Sequence, residues 1–495
     1  MSPRFLVPLF AFGALLAGCA TPPAASSAPA AAAPAATYNV RSFGAVGDGA
    51  AKDTAAFQKA LDTCAVNGGG EVIVPAGRYL IGSIQIGQAT LLRLEEGSVL
   101  LGSPNLGSAP NNLGGGLAGD PVAPAQRGRR PAFRQEPGGS GEGDYPMTDV
   151  RWEGRAQIGR RGLIYAVNVD HVGVVGPGQI VGTPSGTNDL NDARNPVVVE
   201  FIDCHDVRWE GFSVVQGGNW ATHPTYCSDV LIRRVKIQGN RDGIDVDSCR
   251  HVRIEDCDIS TGDDSISLKS GRGMDGARLA QPCEDVVITG CTLADRNFAC
   301  LGIGSEISGG VRDIRIDRCH LISPRSAAVY IKTRIGRAGV NENISGDELD
   351  VEGQQFLRVN LTRGGNSSTR DDPVDGLIGY PIGRNFAFSH VRAKCDSLVQ
   401  ATEISAKRPL EGLKLSDLTA TCTKGGVTLA NVQNAELSGI QIAGLTGPWL
   451  GTVAVTGTGL DGAVAIPAPV DPPPGNAAGG PRRRPRPPAA TPPAS

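Results

Sequence analysis

Between Asn240 and Gly271 the chain reads NRDGIDVDSCRHVRIEDCDISTGDDSISLKSG, with six aspartates besides the acidic pair Glu255–Asp256. Two parts of this stretch superpose. Ile244 and Val246 match Ile266 and Leu268 at one common offset, which carries Asp242 onto Asp264, Asp245 onto Ser267 and Asp247 onto Lys269. Asp263 then stands beside Asp264. A chain coiling with this period would bring Asp242, Asp263 and Asp264 onto neighbouring rungs, roughly 4.7–4.9 Å apart. Clustered carboxylates repel, so one of them should hold its proton to higher pH than the others. Acid–base catalysis exploits that situation.

Two plainer readings stand beside this one. Aspartates flanked by Gly and Ser make Asx turns at strand ends, and aspartate-rich solenoid repeats bind calcium. Either suffices for one aspartate; three that superpose on a repeat favour chemistry. Strict alternation would put Asp242 and Asp264 on the same side as Ile244 and Ile266. The strand must therefore turn or bulge there, since an unpaired carboxylate in an apolar core is too costly.

The elements that could position such a cluster are short. β-Branched runs recur between Gly, Asn and Asp residues, and several share one phrase. Cys249 to Cys257 (CRHVRIEDC) has the form of Cys283 to Cys291 (CEDVVITGC), and Cys227-Ser-Asp-Val-Leu-Ile opens alike. Short strands repeated at ~20–50 residues, without long helical periodicity, predict an all-β solenoid. Its open end needs a cover. Thr54 to Ala65 supplies one: a helix capped by Asp53 or Thr54, with Phe57, Ala60, Leu61 and Cys64 on one apolar stripe. Residues 103–145 are rich in Gly, Pro and Asn and read as a surface insertion.

Both ends of the chain lie outside this pattern. Arg4 precedes an apolar run from Phe5 to Ala17 that ends in Leu16-Ala17-Gly18-Cys19. This describes an export signal over residues 1–18. The ending resembles a bacterial lipobox, which implies cleavage before Cys19 and lipid on its sulfur; an ordinary signal peptide is the alternative. Residues 19–36 read as an Ala/Pro/Ser tether, residues 37–464 as the β-solenoid, and residues 465–495 as a disordered Pro/Ala/Arg tail.

Other chemistries find little support. Apart from Cys19, eleven cysteines remain, none in a C-x-x-C pair, and their place in the repeated phrase predicts a buried stack. One or two disulfides are compatible with export. His205, His223 and His251 are expected in coil turns. No Ser–His–Asp arrangement or phosphate-binding loop is present. A net charge of −3 and 5% aromatic residues argue against nucleic acid as a partner.

Further motifs carry a family resemblance. Tyr38-Asn-Val-Arg-Ser-Phe-Gly-Ala-Val-Gly-Asp-Gly, Arg151-Trp-Glu-Gly154, Trp220-Ala-Thr-His-Pro-Thr-Tyr-Cys227, Asn240-Arg-Asp242, Gly262-Asp-Asp264 and Ile331-Lys-Thr333 with Gly336-Arg337 are similar to segments of the polygalacturonase family, glycoside hydrolase family 28. The similarity runs from Tyr38 to about Val340 and is greatest with the exo-acting bacterial and plant-like branch. It implies a right-handed parallel β-helix in which Arg151–Gly154 belongs to the early coils. It implies Asp263 as general acid, Asp242 and Asp264 as the pair activating water, and Lys332 as a partner for a substrate carboxylate, with Asn240, Tyr330 and Arg337 also toward the substrate. It implies hydrolysis with inversion, carboxylates ~6.5–9.5 Å apart and no cofactor or metal. The substrate would be a pectic polysaccharide or an oligogalacturonide-like chain, and the enzyme a monomer.

Two positions depart from the family. The Gly-His-Gly that usually precedes Gly304-Ser305-Glu306 is replaced by a segment, Asn297 to Gly302, without histidine. Tyr330 stands where the family has the Arg of Arg-Ile-Lys. Rhamnogalacturonan, xylogalacturonan or another uronate-bearing chain therefore fits as well as plain polygalacturonate. Two other functions stay open: a calcium-dependent eliminase like pectate lyase, with Lys269 or Arg272 as base, and a non-catalytic glycan-binding β-helix.

Ala20 and Thr21 lack the aspartate that retains bacterial lipoproteins at the inner membrane, so Cys19 is expected to anchor the protein in outer-membrane lipid. Cys19→Ala should release the protein from membranes and remove the lipid mass. Unchanged fractionation and mass would mean an ordinary signal peptide.

Overall fold

In the computed structural model the described residues are 36–107, 143–183, 195–215, 217, 219–365 and 372–472. The leader, Cys19, most of the 103–145 insertion and the end of the Pro/Ala/Arg tail lie outside them.

Parallel strands stack in register along three faces of a coil, giving a right-handed parallel β-helix. One face runs through Ile164–Val167, Val199–Ile202, Thr222–Thr225, Ile244–Asp247, Ile266–Lys269 and Ala299–Gly304. The register read from the repeat is the observed one: Ile244 opposes Ile266, Asp245 Ser267, Val246 Leu268 and Asp247 Lys269. Alternation then builds the core. Val246, Leu268, Ile303, Ile331 and Val359 line up on successive rungs with no solvent exposure. A rung cannot cover its own apolar side, and its neighbours do so.

The corners explain much of the aspartate and histidine content. His171, Asp206, Asp229, His251, Asp285, Asp313 and Asn343 hold φ between 49° and 57°, a left-handed conformation that Asn, Asp and His tolerate best among residues with a Cβ. Those aspartates are turn-formers, whereas Asp242, Asp263 and Asp264 are absent from this set. His223 departs from expectation: it lies within the strand Thr222–Thr225, fully buried.

All eleven described cysteines are buried free thiols. Some close the ladder at corners, as where Cys249 Sγ accepts from Cys227 N–H at 3.3 Å and Cys291 Sγ from Cys257 N–H at 3.4 Å. The pair Cys395 and Cys422 approaches to 3.7 Å between sulfurs without a bond.

The covering helix spans Thr54–Val66 and buries Phe57, Ala60, Leu61 and Cys64. Its start differs from the predicted cap. Asp53 is in a helical conformation and makes no side-chain cap; its carboxylate accepts from Val46 N–H at 2.6 Å and Gly47 N–H at 3.1 Å. Thr54 Oγ1 accepts from Gly82 N–H instead, at 2.9 Å.

Two further features depart from the sequence reading. Arg151–Gly154 is no coil segment: Met147–Trp152 and Arg155–Arg160 form an antiparallel hairpin projecting from the helix. Past the expected boundary at 464, Val464–Ala465 pairs with Gly451 and Thr452, and Asp471 Oδ2 accepts from Ser405 Oγ at 2.7 Å.

Leu61→Ala would open a cavity under the covering helix at a cost of about 2–5 kcal/mol. The expected result is a lower urea midpoint with kcat unchanged, since Leu61 is remote in the fold from Asp263.

Candidate active site

The three superposing aspartates converge. One carboxylate oxygen from each of Asp242, Asp263 and Asp264 lies within 4.8 Å of the others. Asp242 and Asp264 precede the strands that begin at Ile244 and Ile266. The chain bends there, which turns both carboxylates out of the apolar line. Room for Asp264 comes from Gly302 on the next rung, where a Cβ would stand 2.3 Å from Asp264 Oδ2.

Two lysines hold two of the three. Lys332 Nζ donates to Asp264 Oδ2 at 2.6 Å, and Ser267 Oγ donates to the same oxygen at 3.3 Å. Lys269 Nζ donates to Asp242 Oδ2 at 3.2 Å and contacts Asp245 Oδ1 more closely still. Lys269 therefore bridges Asp242 and Asp245. Asp247, its neighbour in register, is ion-paired to Arg151 of the hairpin at 2.7 Å, with both side chains buried. No ammonium hydrogen-bonds Asp263 among the described residues; Asp263 Oδ1 accepts from Asp264 N–H at 3.0 Å.

The electrostatics follow from this division. Burial, then the charges of Asp242 and Asp264, push Asp263 up to about 8. Burial also raises Asp264, against the pull of Lys332. For Lys332 burial favours the neutral amine, but Asp264 and Asp263 outweigh it and hold the ammonium above the usual lysine range. Glu306 was not anticipated. It lines the cleft, largely buried, and is lowered to about 2, because Lys269, Arg337, Arg272 and Lys332 overcome the cost of its burial.

A cleft of about 370 Å³ opens over the cluster, and Tyr330 and Lys332 both face it, as alternation about Ile331 requires. Aromatic groups that sequence reasoning missed complete it. Trp152, at the end of a hairpin strand, stacks on Trp220 with ring centroids 3.8 Å apart and planes 19° apart. Phe298, 44% exposed, lies in the segment that lacks the histidine. The signals were present as Trp152-Glu153, Trp220 and the exchange near Gly302, but which aromatic would face the site depended on the hairpin's course.

Other expected substrate contacts lie elsewhere. Asn240 is exposed, and its Oδ1 accepts from Arg296 at 2.5 Å. Arg337 is buried, donating from Nη1 to the Ser305 carbonyl at 2.9 Å. Neither lines the cleft. The carboxylate spacing is also shorter than the inverting separation expected above.

Fold and site together give a parallel β-helix with a cleft of carboxylates and aromatic faces. Residues 147–354 match the glycosyl hydrolases family 28 model, and residues 37–113 a rhamnogalacturonase A/epimerase, pectate lyase-like model. A probable polygalacturonase of Vitis vinifera is 27% identical over 384 residues, 74% of this chain and 70% of that protein. A hyperthermoactive exopolygalacturonase from Thermotoga maritima shares the fold, with TM-score 0.66 and 23% identity over 83% of this chain and 93% of that one. The Yersinia enterocolitica family 28 exopolygalacturonase gives 0.61 and 17% over 86% and 78%. These likenesses mark the chain as a polygalacturonase-like O-glycosyl hydrolase, similar over residues 147–354 to the glycosyl hydrolases of family 28.

The raised Asp263 has a consequence for stability. The folded protein holds this proton through about pH 8, whereas the unfolded chain loses it near 3.8. Its contribution is full below the lower value and lost as pH rises through the upper one. Asp263→Asn should gain thermal stability relative to wild type between those limits, the difference levelling off above them. A Tm difference independent of pH would contradict this.

Proposed function

We propose that this chain hydrolyses a uronate-containing pectic chain from one end, with Asp263 as the general acid. The observation that carries the reading is the division within the cluster: Asp242 and Asp264 are each neutralised by a lysine, and Asp263 keeps its proton through neutral pH. A protonated carboxyl can donate to the glycosidic oxygen as the bond breaks. Asp242 and Asp264 hold and deprotonate the attacking water. Lys332, with three donors and one given to Asp264, can also take a substrate carboxylate in the leaving-group subsite.

Inversion is proposed on a ground other than spacing. A carboxylate tied to a buried ammonium is a poor nucleophile toward the sugar, yet it still offers acceptor positions to water. Chain-end action is supported by the hairpin, whose Trp152 and Glu153 wall one side of the cleft. The proteins from Thermotoga maritima and Yersinia enterocolitica are both called exopolygalacturonases.

Elimination fits less well. Lys269 is clasped by Asp242 and Asp245 and held strongly protonated. Arg272 is buried and paired with Glu153 at 3.0 Å. Neither is available as a base. A calcium ion at the three carboxylates would have to displace two ammonium groups.

For the substrate, Tyr330 points to a neutral sugar or a less charged uronate beside Lys332. The two arginines that follow Lys332 in sequence are engaged elsewhere, Arg337 buried and Arg334 donating to the carbonyls of Arg363, Gly364 and Gly365, while Arg241 lines the cleft. Arg358 lies 5.1 Å from the Tyr330 ring centroid and is paired to Glu403. Tyr330 therefore presents its hydroxyl and edge, and Phe298 the open aromatic face, which suits the apolar side of a sugar.

Purified wild type, Asp263→Asn and Tyr330→Arg should be incubated with polygalacturonate and with rhamnogalacturonan and xylogalacturonan oligomers. Expected are new reducing ends without ultraviolet-absorbing products, release from one chain end, and an inverted anomer by NMR at early turnover. Asp263→Asn should lose at least about a hundredfold in kcat. Tyr330→Arg should shift preference toward polygalacturonate. Full activity in the Asp263 variant would return the cluster to turns or ion binding, and wild-type preference for polygalacturonate unaltered by Tyr330→Arg would end the specificity reading.

A further inference from the structure

Lys269 occupies a point where two carboxylates and an indole meet. Its Nζ is 3.2 Å from Asp242 Oδ2, closer still to Asp245 Oδ1, and 3.8 Å from the Trp220 ring centroid. Its side chain is 6% exposed and that of Asp245 is wholly buried. Asp245 does not line the cleft, so it cannot meet substrate. A buried carboxylate on the strand Ile244–Asp247 is destabilising unless paired, and Lys269 pairs with it.

We propose that Lys269 is a positioning residue for hydrolysis: Asp245 behind it and Trp220 over it fix its ammonium so that it holds Asp242 aimed at the attacking water. A lysine on its four-carbon stem does not by itself define a direction. Here three contacts do. The Asp245 carboxyl behind sets the depth, and the indole face supplies a cation–π contact that excludes water. Trp220 is itself held by the stacked Trp152 of the hairpin and by the edge of His223, 5.1 Å away at 79°. The hairpin thus acts on the chemistry without supplying a reacting group. Asp264 has the counterpart in Lys332, so each water-holding carboxylate has its own ammonium.

The charges around the pair set the direction of the test. Lys269 faces Asp242, Asp245 and Glu306; Asp242 faces Lys269, Lys332, Asp263, Asp264 and Asp245. Asp247 is engaged by Arg151, with His223 Nε2 3.9 Å away. Removing the ammonium takes away the cation that hydrogen-bonds Asp242 and leaves the neighbouring carboxyls in place. Burial and Asp242 push the Asp245 carboxyl well up against the pull of Lys269, and Asp245→Asn removes a group that competes with Asp242 for that ammonium.

The inference rests on the hydrolytic reading above. It is tested by pH profiles of kcat/KM on pectic oligosaccharides for wild type, Lys269→Met, Asp245→Asn and Asp242→Asn. Lys269→Met should lower kcat about a hundredfold with KM little changed, and move the acidic limb to higher pH. Asp245→Asn should move that limb to lower pH. A purely structural role would lower activity without opposite displacements of the limb. The inference is overturned if the limb stays in place in Asp245→Asn, or if both variants move it the same way. If Lys269→Met does not fold, as judged by circular dichroism, Asp245→Asn decides alone. Asp242→Asn separates the two levels: full activity there would sink the hydrolytic assignment itself, whereas an inactive Asp242→Asn with unmoved limbs removes only the role of Lys269.

Discussion

Stacking at one strand spacing is the constraint on which this structure depends. Whatever the sequence repeats from coil to coil is brought into contact, apolar or charged. For valine and isoleucine the result is a continuous core. For Asp242 and Asp264 it is like-charge repulsion, roughly 3 kcal/mol for a pair near 5 Å at an effective dielectric of about 20. Three carboxylates within 4.8 Å cannot all remain charged without help. Two ammonium groups and one retained proton resolve the conflict, and the proposed division into an acid and a water-holding pair rests on that resolution.

The lysines are stable as cations only because they are embedded in a wider network. Glu306 lies near them, with Arg272 and Arg337 around it, and Asp245 and Asp247 pair with Lys269 and Arg151. Buried ion pairs of this kind add little net stability, but losing one member leaves an uncompensated charge and is strongly destabilising. The network therefore specifies an arrangement more than it strengthens the fold. The hairpin belongs to it, since Arg151 and Trp152 are adjacent and reach Asp247 and Trp220.

The cleft combines this acidic centre with aromatic surfaces. Phe298 stands in the segment that lost a histidine, and Tyr330 replaces a guanidinium. Both exchanges remove charge and add apolar surface at the sugar-facing wall, while the carboxylates beneath are kept. In the proposed reading, reaction type and substrate preference rest on different rungs of the same face.

By itself the sequence determined the solenoid, the register of Ile244–Asp247 on Ile266–Lys269, the stripe of the covering helix and the convergence of Asp242, Asp263 and Asp264. All of these are periodic features, and a coil turns period directly into proximity. It also placed Tyr330 and Lys332 together, through simple alternation about Ile331. Tertiary structure alone decided who pairs with whom between non-equivalent rungs. Register sets Lys269 opposite Asp247, yet Arg151 arrives from a hairpin outside the repeat and pairs with Asp247, while Lys269 pairs with Asp242 and Asp245. Arg337 and Asn240, adjacent to motifs in sequence, are turned into the protein or out to solvent by loops that follow no period. A side chain's neighbours along a repeat follow from spacing; its neighbours across a loop depend on the path of the loop, which no local pattern encodes.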